Sequence, residues 1–109
     1  MRRAARVDDN HSAIVTEFRR CGVTVKSLAQ LGGGVPDLLC SVKPPHSARG
    51  ITWLVEVKDG AKVPSKRRLT EGEADFHARW PGDVFIVEHA NDVPAVVLAA
   101  CNGFREEEQ

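Results

Sequence analysis

Asp37, Glu56 and Lys58 are the residues of this 109-residue sequence best placed to do chemistry. They belong to the stretch from Gly32 to Lys58, which reads Gly-Gly-Gly-Val-Pro-Asp, an apolar run, a turn, and Ile-Thr-Trp-Leu-Val-Glu-Val-Lys. Asp37 opens one predicted strand, and Glu56 and Lys58 close the next. Residues two apart in a strand share a face, so Glu56 and Lys58 stand side by side, roughly 7 Å apart along the chain. If the two strands pair as an antiparallel hairpin, Asp37 comes opposite them, and two carboxylates and an ammonium converge. Neighbouring carboxylates repel, and a buried lysine tends to neutralise. A hard divalent cation such as Mg²⁺ offsets the repulsion by taking carboxylate oxygens while it keeps waters for chemistry. The spacing by itself also fits an ordinary Glu/Lys pair on a solvated strand face, with Asp37 a turn residue after Pro36.

The elements that must position these residues follow from the flanking pattern. Residues 1–7 form a basic arm with Arg2, Arg3 and Arg6. Asp8-Asp9-Asn10 offers N-cap chemistry for a helix in which Ile14, Phe18 and Cys21 recur at helical spacing before Gly22 stops it. His11 and Glu17 flank this stripe, each either reaching the edge of the site or simply bounding the apolar face. Val23 to Leu28 reads as a strand. The Gly32-Gly33-Gly34 loop has no Gly-Lys-Ser/Thr after it, which excludes a phosphate-cradling loop. Asp37 to Val42 and Ile51 to Lys58 are strands, the second apolar on both faces until Glu56 and therefore central. A proline-rich turn joins them. Asp59 to Arg68 is a loop with Lys62, Lys66, Arg67 and Arg68, and Thr70-Glu71-Gly72-Glu73 matches a capping box. Glu73, Phe76, His77 and Trp80 share one face of the helix that follows, and Pro81-Gly82 ends it. A strand over 84–87 leads to a last helix capped by Asn91. Val97, Leu98 and Cys101 make its apolar side, Gly103 stops it, and 104–109 is an acidic tail expected to fray. The order helix, three strands, helix, strand, helix predicts an α/β fold, a single domain over 1–109 with a small mixed central sheet flanked by helices.

Composition narrows the function classes. Hydrophobic content of 42% with 28% charged residues is that of a soluble globular domain. No apolar run approaches the ~20 residues of a membrane span, and no h-region follows the basic N-terminus. Cys21, Cys40 and Cys101 are scattered without metal-site spacing, which reads as reduced core thiols in a cytoplasmic protein and argues against zinc. Net charge is zero but segregated: residues 1–70 carry 13 Lys/Arg against 6 Asp/Glu, and residues 71–109 carry 2 against 9. A basic segment around the suspected site suits an anionic substrate.

Gly-Gly-Val-Pro-Asp37 followed by Leu-Val-Glu56-Val-Lys58, with strands in this order, resembles the PD-(D/E)XK nuclease superfamily. Within it the chain is most similar to small VRR-NUC-type nucleases, the virus-type replication and repair nuclease domain, often phage-encoded and akin to Holliday junction resolvases. Asp8-Asp9-Asn10 before Ile14-Val15, Lys58-Asp59-Gly60-Ala61-Lys62, and Arg67-Arg68-Leu69-Thr70 before Phe76-His77 and Trp80 extend the likeness over roughly residues 7 to 90. The resemblance implies a restriction-endonuclease-like core and a divalent-metal-dependent DNA endonuclease acting on branched DNA. Cleavage of flaps, nicking or restriction-like cutting by the same centre, and a DNA-binding module with a lapsed centre, are the alternatives. It implies Mg²⁺ or Mn²⁺ held by Asp37, Glu56 and the backbone carbonyl of Val57, with Lys58 holding the attacking water or offsetting phosphate charge. Lys62, Lys66, Arg67, Arg68 and Thr70 would contact DNA. A homodimer and a cytoplasmic setting, that of the host if phage-encoded, belong to the same expectation. Two positions depart from the family pattern. His11 stands where a helix-borne glutamate is common, with Glu17 a later substitute, and Glu73 stands where glutamine is usual. Glu73 therefore reads equally as a supporting site residue or as the capping-box carboxylate.

Overall fold

The computed structural model describes residues 10–108. The basic arm and the Asp8-Asp9 pair lie outside the described residues. The elements run α1 (His11–Arg20), β1 (Thr24–Ser27), β2 (Leu38–Val42), β3 (Ile51–Val57), α2 (Glu71–Arg79), β4 (Val84–Val87) and α3 (Val93–Glu108), with single 3₁₀ turns at Pro64–Lys66 and Ala90–Asp92. This is the predicted α/β order. The four strands form one mixed sheet in the order β1-β2-β3-β4. The β1–β2 and β2–β3 pairs are antiparallel, whereas β3 and β4, joined through α2, are parallel. Among the described residues no helix is long and apolar enough to cross a membrane.

Alternation in the strands decides which side of the sheet is covered. Leu38, Cys40, Trp53, Val55, Val57 and Val87 point to one face and are buried with Ile14 and Phe18 of α1 and Val93 and Ala100 of α3. Phe18 and Trp53 anchor this core, their ring centroids 6.3 Å apart at 54°. Each fully buried aromatic or aliphatic side chain there contributes about 1.5–3 kcal/mol. The opposite face carries Leu39, Thr52, Glu56 and Ile86, and it is there that charged groups can gather.

Five local expectations are corrected. Asn10 occupies the N-cap position of α1 but makes no side-chain cap hydrogen bond; stronger tertiary partners take its amide, as shown below. Cys21 lies past the end of α1 and is exposed, whereas Cys40 is buried, with burial pushing its thiol pKa up to about 12. Asn91 sits inside the 3₁₀ turn that leads into α3, not at the cap, and Leu98 is 61% exposed because Val93 and Ala100 face the sheet instead. Gly103 does not stop α3, which runs on to Glu108. The positive-φ glycines are Gly22, Gly32, Gly33 and Gly34. A right-handed glycine weakens a helix by only about 1 kcal/mol, and the Arg-Glu-Glu-Glu run beyond it is a good helix former.

Candidate active site

The site is assembled where β2 begins and β3 ends. The antiparallel register pairs Leu38 with Val55. One step further sets Asp37 opposite Glu56, and directly opposite residues share a face. Asp37 is held from both sides: its carbonyl accepts the Leu28 amide at 2.7 Å and its Oδ2 accepts the Val57 amide at 2.7 Å. Another step sets Pro36 opposite Val57. Proline has no amide hydrogen, so it offers no ladder bond to the Val57 carbonyl. The loop before Pro36 is fixed to α2 by close packing. Gly34 has φ +85°, and a Cβ there would overlap the backbone of Gly72.

Glu56 is only 2% exposed, and its Oε1 is among the buried polar atoms with no hydrogen-bond partner. Its carboxyl lies within hydrogen-bonding reach of Asp37. Burial first, then the Asp37 hydrogen bond and charge, then the Glu73 charge push its pKa up to about 9, against the opposing pull of Lys58. Without a cation, the Asp37–Glu56 pair is thus disposed to hold a proton, as two carboxyls sharing one low-dielectric spot must.

Lys58 follows on the same face and is also buried. Its Nζ donates to Glu73 Oε1 at 2.7 Å. That same oxygen accepts the Thr70 amide at 2.8 Å, while the Glu73 amide donates to Thr70 Oγ1 at 3.1 Å, completing the capping box. The two readings of Glu73 are therefore one arrangement: the capping carboxylate is also the partner of Lys58. Burial works to raise the Glu73 pKa, but the Lys58 and Thr70 hydrogen bonds outweigh it and hold the carboxyl below its ordinary value.

Two residues join this group that the spacing argument overlooked. Asn10 donates through Nδ2 to the carbonyls of Lys58 at 3.0 Å and Glu88 at 2.7 Å, tying the start of α1 to the ends of β3 and β4. An asparagine before a helix reads as a cap, and nothing local distinguishes a cap from a tertiary strut. His77 is one turn after Glu73, and its Nε2 lies 3.5 Å from Glu56 Oε1 without a hydrogen bond. Burial, with the Lys58 charge, lowers the His77 pKa against the opposing pull of Glu73. The i, i+4 spacing of Glu73 and His77 was the available signal.

The remaining candidates divide. Glu17 pairs with Arg20 at 3.1 Å on the surface of α1. His11 has a buried Nε2 with no hydrogen-bond partner. Arg67 turns inward to Glu88 at 3.3 Å, whereas Lys66, Arg68 and Thr70 are exposed beside the site and Lys62 is half-buried. Among the described residues no group of three or more His, Cys, Asp or Glu side chains stands together in metal-holding geometry. The donors that fit a hard cation are the Asp37 and Glu56 carboxylates and the Val57 carbonyl, and the unpartnered Glu56 Oε1 is the atom left to be satisfied.

A solved structure described as a VRR_NUC domain is 31% identical to this chain, with a TM-score of 0.51, over 79% of this chain and 87% of that one. The chain belongs to the VRR-NUC family. No family model and no curated protein gave a match. The VRR-NUC assignment makes this a nuclease-type domain with a restriction-endonuclease-like fold, and the Asp37, Glu56 and Lys58 cluster lies at the sheet position where the chain's own geometry concentrates charge.

Proposed function

We propose that the chain is a divalent-metal-dependent DNA endonuclease acting on branched DNA, with Mg²⁺ or Mn²⁺ held by Asp37, Glu56 and the Val57 carbonyl. The observation that carries this reading is the pairing of Asp37 with a nearly fully buried Glu56 whose Oε1 has no protein partner. A buried, unsatisfied carboxylate beside a second carboxyl destabilises the fold unless a cation relieves it.

The bound metal supplies Lewis-acid charge at the scissile phosphate and a lowered pKa for water. The protein's own groups do the rest. Asp37, locked by the Val57 amide, and Glu56 present oxygens from one rigid sheet face. Lys58, oriented by Glu73, sets a positive charge next to the carboxylates, where it can hold water or offset charge developing on the phosphate. Lys66 and Arg68, with Lys62 and Thr70, extend a basic rim beside the N-terminus of α2, suited to backbone phosphates on either side of the cut. A two-fold symmetric junction would be cut by two such sites, which a homodimer supplies.

The test is a side-by-side assay of four-way junction, flap, nicked and linear duplex DNA with Mg²⁺, Mn²⁺ or EDTA. Metal-dependent cutting, strongest on branched DNA, is expected. Asp37→Ala, Glu56→Ala and Lys58→Ala should each lose cleavage while DNA binding survives. Unchanged cutting in all three variants defeats the assignment, and preference for flap or linear duplex reassigns the substrate.

A further inference from the structure

The sheet face that bears the site also carries an aromatic groove that the reading above leaves unused. Helix α2 crosses this face antiparallel to β3, and its successive turns meet the strand two residues further back each time. Glu73 bonds Lys58, His77 lies beside Glu56, and Trp80 joins Leu54 in lining a groove of about 360 Å³. Cross-strand pairing sets Lys26 beside Leu39, and Leu39 beside Leu54, on the same face. Asp37 and Glu56 stand one same-face step away, roughly 7 Å along their strands. Trp80 is 48% exposed and Leu39 37%, so the groove is open to solvent. Phe76 and Trp80 stack with ring centroids 5.1 Å apart and planes at 17°, and a Cβ on Gly82 would come within 3.0 Å of Trp80 Nε1. The indole is thus seated between Phe76 and the Pro81-Gly82 turn, a fixed apolar platform at the opposite end of α2 from the basic rim.

We propose that Trp80 stacks an unpaired base of the substrate strand, so that the chain reads a branch by holding duplex on the Lys66 and Arg68 rim and the unpaired strand in the Leu39–Trp80 groove. The inference rests on the DNA-endonuclease reading above and deepens it by naming the feature recognised: a strand that loses its pairing close to the cut. A step of roughly 7 Å corresponds to about two stacked nucleotides at 3.4 Å each. An aromatic platform accepts any base, because every base has a π-face. Charge sorts the groove. The exposed Lys26 beside Leu39 suits a backbone phosphate, whereas Asp83 on the groove wall repels phosphate and can accept from a base amino group. A second copy of the chain is the poorer occupant. An aromatic side chain buries at most about 250 Å², and half of Trp80 with part of Leu39 falls far short of the ~800 Å² per partner of a stable interface.

The experiment measures binding in EDTA, by anisotropy and by tryptophan emission, to a splayed-arm DNA and to a blunt duplex of the same length. Trp53 is buried, so quenching by DNA reports on Trp80. Splayed-arm DNA should quench the wild-type emission and the duplex should not. Trp80→Leu, which keeps an apolar group over Leu54 but cannot stack, should bind the splayed arm roughly tenfold more weakly, with a far smaller change for duplex. Trp80→Phe should recover most of that affinity. An abasic nucleotide scanned through the start of the unpaired arm should weaken wild-type binding at one position, a readout that needs no variant to fold. Equal affinity of wild type and Trp80→Leu for the splayed arm, an equal fall for both DNAs, or indifference to the abasic scan overturns the proposal. Emission that changes with protein concentration alone, with a doubled mass in sedimentation, gives the groove to a second copy and overturns it as well. If the wild type cuts DNA with Mg²⁺ and Asp37→Ala does not, any of these outcomes removes only the role of Trp80. If the wild type neither binds nor cuts either DNA, the endonuclease reading fails and this inference with it.

Discussion

Replacing Glu56 with glutamine should stabilise the metal-free protein, because the carboxylate is kept in a place that disfavours its charge. The wild-type pKa is raised from 4.5 to about 9 by burial, then by Asp37 and Glu73. A folded-state pKa above the unfolded value means the folded chain binds the proton more tightly. The associated stability is fully present below about pH 4.5 and is lost as pH rises through about 9. At about pH 7.5 the three-unit gap from the unfolded pKa sets a ceiling of ~4 kcal/mol, which glutamine, having no proton to lose, retains. Water penetration and relaxation around the pair reduce this to ~1–2 kcal/mol, which corresponds to a rise in Tm of roughly 5–15 °C for a domain of this size. Melting curves in EDTA across about pH 4.5 to 8.5 measure it directly. The two proteins should melt together at the acid end and diverge steadily above it. A Glu56→Gln protein no more stable than wild type near pH 8, or a gap independent of pH, refutes the reasoning. Added Mn²⁺ or Mg²⁺ should raise the wild-type Tm and leave that of the variant unmoved.

Other perturbations probe the frame around the site. Asn10→Ala removes two hydrogen bonds to the Lys58 and Glu88 carbonyls and should destabilise by about 1–3 kcal/mol in denaturant melts. A loss under ~0.5 kcal/mol would deny Asn10 its role as a strut. Gly34→Ala meets both a left-handed backbone and the Gly72 backbone, and should lower stability by more than ~1 kcal/mol and cleavage with it. Unaltered melting would show that the Asp37 loop is not pinned to α2. Neutralising Lys66 and Arg68 together should weaken DNA binding and reduce its salt dependence by up to about two counterions' worth, whereas Arg67→Gln, which breaks an internal pair with Glu88, should lower Tm and leave the salt slope nearly as it was. Equal slopes in all three proteins would remove the basic rim from the DNA interface. Thr70→Ala removes the Oγ1 that accepts the Glu73 amide and should cost ~1 kcal/mol, and by loosening the first turn of α2, from which Glu73 reaches Lys58, it should lower cleavage as well. Cleavage at the wild-type rate would separate the cap from the site.

Local chemistry made several features legible without coordinates. β-branched alternation marked β1, an apolar run on both faces marked β3 as central, and the capping box at Thr70 and Glu73 located the start of α2 to the residue. Because an antiparallel pair brings the start of one strand beside the end of the next, the spacing of Asp37, Glu56 and Lys58 implied their convergence once the hairpin was assumed. The errors fell where local signals are ambiguous. Gly103 reads as a stop, yet a glycine without a left-handed φ merely weakens a helix. Cys21 fits the apolar stripe of α1, yet it falls after the helix ends and faces solvent.

Sequence alone determined which residue types could meet and on which elements they ride, because periodicity, caps and turns are properties of neighbours in the chain. Only the tertiary structure decided what each charged or polar group meets. That Asn10 braces Lys58 and Glu88, that the capping carboxylate of Glu73 also pairs with Lys58, that Arg67 turns to Glu88, and that His77 stands beside Glu56 without a hydrogen bond are contacts between residues 15 to 78 apart in the chain. Such contacts depend on how α1 and α2 seat against the sheet, and that seating is set by the summed packing of the core, which no short stretch of sequence encodes.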